Sequence, residues 1–109
     1  MATGRLGTAN ITTTSANTVY TVPAATFAVV SVNIVNRSSS AAALIRLAVA
    51  SSATPNADEW IEFDSSLVAN GVLERTGIVM KTGELIVVQT TTATPTLSVV
   101  VYGIETSTA

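Results

Sequence analysis

The sequence predicts an all-β fold: an antiparallel β-sandwich or jelly-roll-like arrangement of about seven or eight short strands with an extended N-terminal arm. The first observation is composition. The chain of 109 residues is 48% hydrophobic but only 5% aromatic, so Val, Ile, Leu and Ala provide most of its apolar surface. Branched residues such as Val and Ile suit the pleated surface of a sheet. The second observation is alternation of apolar and polar residues in short runs, separated by turn residues every ~10–12 positions.

Residues 1–17 are polar and rich in Thr and Gly, and we expect them to form an arm outside the folded core. Residues 18–109 then form a single β-sandwich domain, since a chain of this length can bury one modest core. The first strand of that domain is expected at residues 18–23, where the alternation ends at Pro23. Because proline cannot donate a hydrogen bond to a ladder, this strand is placed at an edge.

Two strands are expected in the next part of the chain. Residues 26–37 place Val30, Val32 and Ile34 on one face, with polar residues between them. A serine-rich turn follows. Residues 42–51 alternate in the same way, which favours a strand although Ala and Leu are good helix formers.

The second half of the chain contains the longest loop, residues 51–59, and four further strands. Asn70 and Gly71 predict a turn, and Gly83 lies where a three-residue hairpin needs a residue with positive φ. The strands are expected at residues 59–64, 72–80, 84–91 and 96–105, with a short apolar stretch within residues 65–71.

Charge and the missing residue types argue against several functions. The formal net charge is −2, so no basic surface invites nucleic acid. No apolar run approaches the ~18 residues of a membrane span. The chain has no cysteine and no histidine, which removes the commonest metal ligands and the commonest general base. We therefore expect no cofactor, no metal site, and no nucleic-acid or membrane partner. The polar N-terminal sequence also predicts a protein that is not secreted.

Two stretches suggest catalytic chemistry, and neither meets its requirements. In residues 70–84, three apolar residues separate Gly77 from Lys81, so the lysine cannot join a phosphate-binding loop. Glu62 and Asp64 would share a strand face roughly 7 Å apart, near the spacing of an inverting glycosidase. Any two acids separated by one residue on a strand would have this separation, so the spacing is not specific to an enzyme. A solvated acidic edge is the simpler interpretation, and a cation site is the other alternative. We expect no catalytic residue and no enzymatic activity.

Other features favour interfaces with other chains. Only 11% of the residues are charged, less than half of the usual ~25%. The segments ELIVVQ and LSVVVYGI are apolar on both faces, which predicts central strands covered by a neighbouring subunit. The residues expected at an interface are Arg46, Trp60, Glu74, Arg75 and Tyr102.

Two of these residues have specific expectations. Trp60 is the only tryptophan, and it belongs to the core, to an interface, or to a platform on which a sugar ring stacks. Arg46 lies within an apolar strand, and we expect it to pair with Glu62 or Glu74 on a neighbouring strand, or with an acid of a partner chain.

Three stretches together resemble the small β-sandwich virion structural proteins of tailed bacteriophages, especially cyanophages. They are VYTVPAATFAVVSVNIVNRSSSAAALIRLAVA, DEWIEFDSSLVANGVLERTGIVMKTGE and VVYGIE. The resemblance covers about residues 18–105, and its motifs are structural rather than catalytic.

The resemblance implies a capsid decoration (cement) protein that stabilises the shell by self-association and by contacts with the major capsid protein or other virion proteins. It also implies a homo-oligomer, a trimer by analogy with decoration proteins of this size, located in the virion after assembly in the host cytoplasm. The N-terminal arm would then reach a neighbouring copy. The alternatives are a neck, tail or fibre component, or a host-surface carbohydrate-binding module on the virion that uses Trp60 and the loop at residues 51–59.

Overall fold

The computed structural model describes residues 2–108, and this part of the chain contains eight β-strands and no helix. The expected all-β sandwich is confirmed. The strands are β1 (Thr3–Ile11), β2 (Asn17–Thr21), β3 (Thr26–Asn36), β4 (Ala43–Ala50), β5 (Trp60–Leu67), β6 (Val72–Met80), β7 (Leu85–Thr90) and β8 (Leu97–Ser107). Within residues 2–108 there is accordingly no helix that could cross a bilayer.

The strands form two antiparallel four-stranded sheets with the strand order of a jelly roll. The first sheet has the order β1-β8-β3-β6, and the second sheet has the order β2-β7-β4-β5. Each strand is followed by a strand of the other sheet, except that β4 and β5 form a hairpin within the second sheet. The strands β7 and β8 are central in their sheets, as their apolar sequences predict.

The core lies between the two sheets and follows the predicted alternation. Val30, Val32 and Ile34 on β3 are at most 1% exposed, while the residues between them are partly exposed. On β4, Ile45 and Leu47 are fully buried and face the same core. Burying an aliphatic side chain of this size contributes about 1.5–3 kcal/mol. Burial of the side chains that alternate inward on these strands therefore stabilises the folded state.

The expected N-terminal arm is instead largely a strand of the sandwich. Strand β1 pairs with β8 along its length, and its last residue, Ile11, is 1% exposed in the core. Leu6 and Ala9 also pack against the core, while the remaining side chains of β1 are small, polar or exposed. The strand is therefore held mainly by its backbone hydrogen bonds to β8. Because few of its side chains are buried, the sequence of β1 shows little alternation of apolar and polar residues. Met1, in the expected arm, and Ala109, in the expected domain, lie outside the described residues.

The beginning of the chain is also attached through Glu105 near the end of β8. The carboxylate of Glu105 accepts a hydrogen bond from the backbone N–H of Ala2 at 3.0 Å and another from the hydroxyl of Tyr20 at 2.6 Å. Burial, together with the bond to this carboxylate, raises the pKa of Tyr20 well above its ordinary value. Glu105 therefore joins the two ends of the described chain to β2 of the opposite sheet.

The glycine turns occur where they were predicted, but they do not close hairpins. Asn70 has a φ of 59° and Gly83 has a φ of 86°, which is the left-handed conformation that such turns need. The turn at Asn70 connects β5 of the second sheet with β6 of the first, and the turn at Gly83 connects β6 with β7 of the second. The hairpin interpretation was therefore wrong, because a turn sequence does not specify which sheet the next strand joins.

Candidate functional site

The five residues expected at an interface lie in three places. Arg46 and Trp60 lie on the outer face of the second sheet, on neighbouring strands β4 and β5. Glu74 and Tyr102 meet on the outer face of the first sheet, where the Tyr102 hydroxyl donates a 2.6 Å hydrogen bond to Glu74. Arg75 pairs with Glu62 and joins the edge strands β6 and β5. The fold thus distributes these residues over three places rather than bringing them into one site.

Trp60 covers the outward side of the second sheet. Ala48, Ala50 and Val87 form a small buried cluster on this face, and Trp60 and Leu85 pack against it. Val87 is fully buried although it points away from the main core. The two apolar faces of β7 are therefore covered within this chain, and β7 does not require a neighbouring subunit.

Arg46 pairs with Asp64 and not with Glu62 or Glu74 as expected. Its Nε donates to Asp64 Oδ1 at 2.7 Å and its Nη2 donates to Oδ2 at 3.2 Å. The guanidinium carbon also lies 4.0 Å from the centre of the Phe63 ring, a cation–π contact. The cause is a shift in the β4–β5 register between Ile45 and Leu47, which places Phe63 and Asp64 together opposite Arg46.

The same bulge separates the two carboxylates that could have formed a catalytic pair. Asp64 has a φ of 54° and points to the outer face, whereas Glu62 is bound by Ser65 at 2.5 Å and by Arg75. Hydrogen bonds from Ser65 and Arg75 lower the pKa of Glu62, and the bond from Arg46 lowers the pKa of Asp64. Neither carboxyl is held protonated as a general acid would be, so this geometry gives no support to the glycosidase-like alternative that the spacing of the two acids suggested.

The loop between β4 and β5 is fastened by Glu59. Its carboxylate accepts hydrogen bonds from the backbone N–H groups of Asn56 at 2.8 Å and Ser51 at 3.0 Å. These bonds lower the pKa of Glu59. Among residues 2–108 no three His, Cys, Asp or Glu side chains are grouped as metal ligands would be.

This fastened loop forms one wall of an open cavity of about 390 Å³, which we name the aromatic pocket; its lining residues are Ala57, Trp60 and Phe63. The rings of Trp60 and Phe63 are 5.7 Å apart and inclined by 68°, so they form two walls of a corner. The sequence pointed to Trp60, but it did not point to Phe63, which is 55% exposed. The signal that the sequence offered for Phe63 was its position between two acids, Glu62 and Asp64.

A second cavity, of about 430 Å³, lies at one end of the sandwich between the β3–β4 and β7–β8 loops. It is lined mainly by small polar and alanine side chains, and also by Asn36 and Arg37. The side-chain amide of Asn36 donates to the carbonyls of Ala41 and Leu67, and Arg37 donates to Asn10. The side chains of Asn36 and Arg37 are thus already hydrogen-bonded within the chain.

The outer face of the first sheet carries an apolar surface that the sequence analysis did not single out. Val29 lies between Val79 on β6 and Ile104 on β8, and Phe27 is on the same face of β3. We name these four residues the apolar stripe. The exposed fractions are 38% for Phe27, 40% for Val29, 70% for Val79 and 55% for Ile104. The outward apolarity predicted for β8 therefore remains open in this chain, in contrast to that of β7.

The carboxylates on and beside β5 predict a loss of stability in acid. The folded-state pKa values of Glu59, Glu62 and Asp64 are all lowered, so the unfolded chain binds more protons as the pH falls. Their contribution is present above the ordinary glutamate value of 4.5 and is lost as the pH falls through the folded values. We expect the melting temperature to decrease from about pH 5 to about pH 3, as measured by circular dichroism.

Glu62→Gln provides the comparison for this pH dependence. The variant keeps an oxygen that can accept from Ser65 but has no carboxyl to titrate. It should be less stable at neutral pH and should show a shallower decrease in melting temperature in acid. An unchanged slope would show that Glu62 does not contribute to acid sensitivity.

The chain was also compared with known proteins. No family model matches it, and no curated protein matches its sequence.

Proposed function

We propose that this protein is a structural protein of a tailed-bacteriophage virion, and specifically a non-enzymatic capsid decoration protein. It stabilises the shell by binding sister copies and the major capsid protein. The observation that carries the proposal is the apolar stripe, Phe27, Val29, Val79 and Ile104, on the outer face of the first sheet. The resemblance of residues 18–105 to small virion proteins indicates that the assembly is a virion.

The apolar stripe supports the proposal because its exposure has no explanation within one chain. Scattered exposed apolar residues are common, but adjacent ones on three neighbouring strands form a contiguous surface. Burial of apolar surface contributes about 25 cal/mol per Å², so covering this surface would stabilise an assembly. The low charged fraction, 11%, agrees with a surface that is largely covered in the particle.

The structure changes one part of the expected mechanism. Because β1 is paired with β8 of its own chain, residues 3–11 are not a free arm for a neighbouring copy. We therefore assign the contacts with other subunits to the apolar stripe and to the adjacent Tyr102–Glu74 pair. The proposed assembly is a homo-oligomer, with a trimer as the specific expectation. The protein would assemble into the virion in the host cytoplasm without secretion, and it would need no cofactor.

The test compares two exposed valines. Val79→Asp places a charge in the apolar stripe, where Val79 is 70% exposed, and should leave the fold intact. It should abolish self-association in light scattering and binding to capsids in sedimentation, because the charge would lose its water at the interface. Val68→Asp, at a 63% exposed valine outside the stripe, is the matched control and should behave like the unchanged protein.

Particles provide the second arm of this test. Capsids that lack the protein should release their DNA at a lower temperature, and adding the unchanged protein or Val68→Asp should restore retention. Equal heat stability with and without the protein would exclude the decoration role. Labelling on the neck, tail or fibres instead of the capsid would replace that role with one of the alternative virion positions.

A further inference from the structure

We infer that the aromatic pocket on the outer face of the second sheet binds a neutral carbohydrate. Its volume, about 390 Å³, falls within the ~300–1,000 Å³ of small-molecule sites. Trp60 and Phe63 offer ring surfaces to the pocket, and aromatic faces pack well against the apolar C–H faces of sugar rings. The inference does not depend on the virion role, because the pocket and the apolar stripe are on opposite sheets.

The charges beside the pocket favour an uncharged ligand. Arg46 and Asp64 are joined by two hydrogen bonds and neutralise each other. A cationic ligand would compete with the guanidinium that already lies over the Phe63 ring, and an anionic ligand would meet the Asp64 carboxylate. A neutral ligand avoids both costs.

The Arg46–Asp64 pair offers both hydrogen-bond donors and hydrogen-bond acceptors to the hydroxyl groups of a sugar. A guanidinium has five N–H donors, and Arg46 uses two on Asp64, whose oxygens keep further lone pairs. A hydroxyl both donates and accepts, so neighbouring hydroxyls of one sugar can bind an Arg donor and a carboxylate acceptor side by side. A purely apolar ligand, or the apolar surface of another protein, would leave the remaining donors of Arg46 and the remaining lone pairs of Asp64 without partners.

The pocket is formed before any ligand arrives. Phe63 is held by its contacts with the guanidinium of Arg46 at 4.0 Å and with the indole of Trp60 at 5.7 Å. Trp60 itself packs on the buried cluster of the second sheet, and the loop that carries Ala57 is fastened by Glu59. A rigid site loses little conformational entropy on binding, which suits a weak ligand such as a single sugar ring.

The tryptophan provides a direct measurement, since Trp60 is the only one in the chain. The full-length protein is titrated with maltohexaose, cellohexaose and mannohexaose while the emission of Trp60 is recorded. Oligogalacturonate and benzyltrimethylammonium serve as anionic and cationic probes. We expect a saturable change with at least one neutral oligosaccharide at millimolar concentration, and no saturable change with the charged probes.

Variants locate the binding. Phe63→Ala should weaken it by about tenfold or more, and Phe63 is exposed enough for its loss to leave the core intact. Ala57→Leu fills the pocket without removing any wall and should weaken binding to a similar extent. Val68→Ala changes an exposed residue at the end of the same hairpin, outside the pocket, and should bind like the unchanged protein.

Four results would overturn the inference. The first is that no neutral oligosaccharide changes the emission of Trp60, and the second is that a charged probe binds saturably instead. The third is that the change with a neutral oligosaccharide persists in both Phe63→Ala and Ala57→Leu. The fourth is that this change is lost equally in Val68→Ala. A change in Trp60 emission with protein concentration alone, lost in Phe63→Ala, would also overturn it, because the pocket would then be a contact between two copies.

Discussion

Replacing Gly103 with alanine is expected to destabilise this protein by more than ~3 kcal/mol, a large part of the ~5–15 kcal/mol that keeps a domain folded. Gly103 lies in the middle of β8, paired with Val30 on β3 and Gly4 on β1. A Cβ atom there would lie 2.1 Å from the carbonyl oxygen of Val29 and 2.8 Å from the Cα of Val30. Both obstacles are backbone atoms of a central strand, so relief requires breaking the ladder rather than turning a side chain.

Gly77→Ala is the matched control for this prediction. Gly77 has a φ of 70°, but the space around it is open, with no atom within 4 Å of the added Cβ. Its cost is then only the backbone strain of about 1–2 kcal/mol. Urea unfolding of the two variants would measure the difference. Equal losses of stability would contradict the argument from close approach of the β3 and β8 backbones.

Asn36→Leu is expected to produce the second large effect, a loss of about 3–5 kcal/mol. Asn36 is 1% exposed, and its side-chain amide donates to the carbonyls of Ala41 at 2.9 Å, Leu67 at 3.1 Å and Val68 at 3.3 Å. Its Oδ1 accepts from the N–H of Ser38 at 3.1 Å. Leucine has a similar volume but removes all four of these hydrogen bonds, and each buried group that is left unsatisfied costs about 1–3 kcal/mol.

The same substitution at Asn33, three residues earlier on β3, is the control for Asn36→Leu. The Oδ1 of Asn33 is buried and has no hydrogen-bond partner among the described residues. Asn33→Leu should therefore be neutral or stabilising in urea unfolding. Hydrogen exchange at the loops that follow β3 and β5 should increase in Asn36→Leu alone. Similar stabilities for the two variants would show that the Asn36 bonds contribute little.

Several of the residues in these predictions hold strands to one another. Asn36 joins the ends of β3 and β5, Glu62 and Arg75 join two edge strands, and Glu105 joins the chain's beginning to β2. Gly103 permits close packing of β8 on β3. At each of these positions one strand is thus fastened to a strand of the other sheet or to a neighbouring strand.

The candidate site was only partly predictable. Trp60 and Arg46 were selected because one is the only tryptophan and the other is a charge within an apolar strand. Their partners were not predictable, since a register shift places Phe63 and Asp64 together opposite Arg46. The apolar stripe was missed for a similar reason, because it forms only when β6, β3 and β8 are placed side by side.

By itself the sequence determined the fold class and seven of the eight strands, because side chains alternate between faces along a strand and this period is visible locally. It also determined the left-handed turn at Gly83. Only the tertiary structure decided that β1 belongs to the sandwich, since its stability comes from a backbone ladder with β8, nearly the full length of the chain away. The structure likewise decided which acids Arg46 and Arg75 meet and which apolar face stays open. These depend on register and on sheet assignment, and both are set by contacts between residues that are distant in the chain.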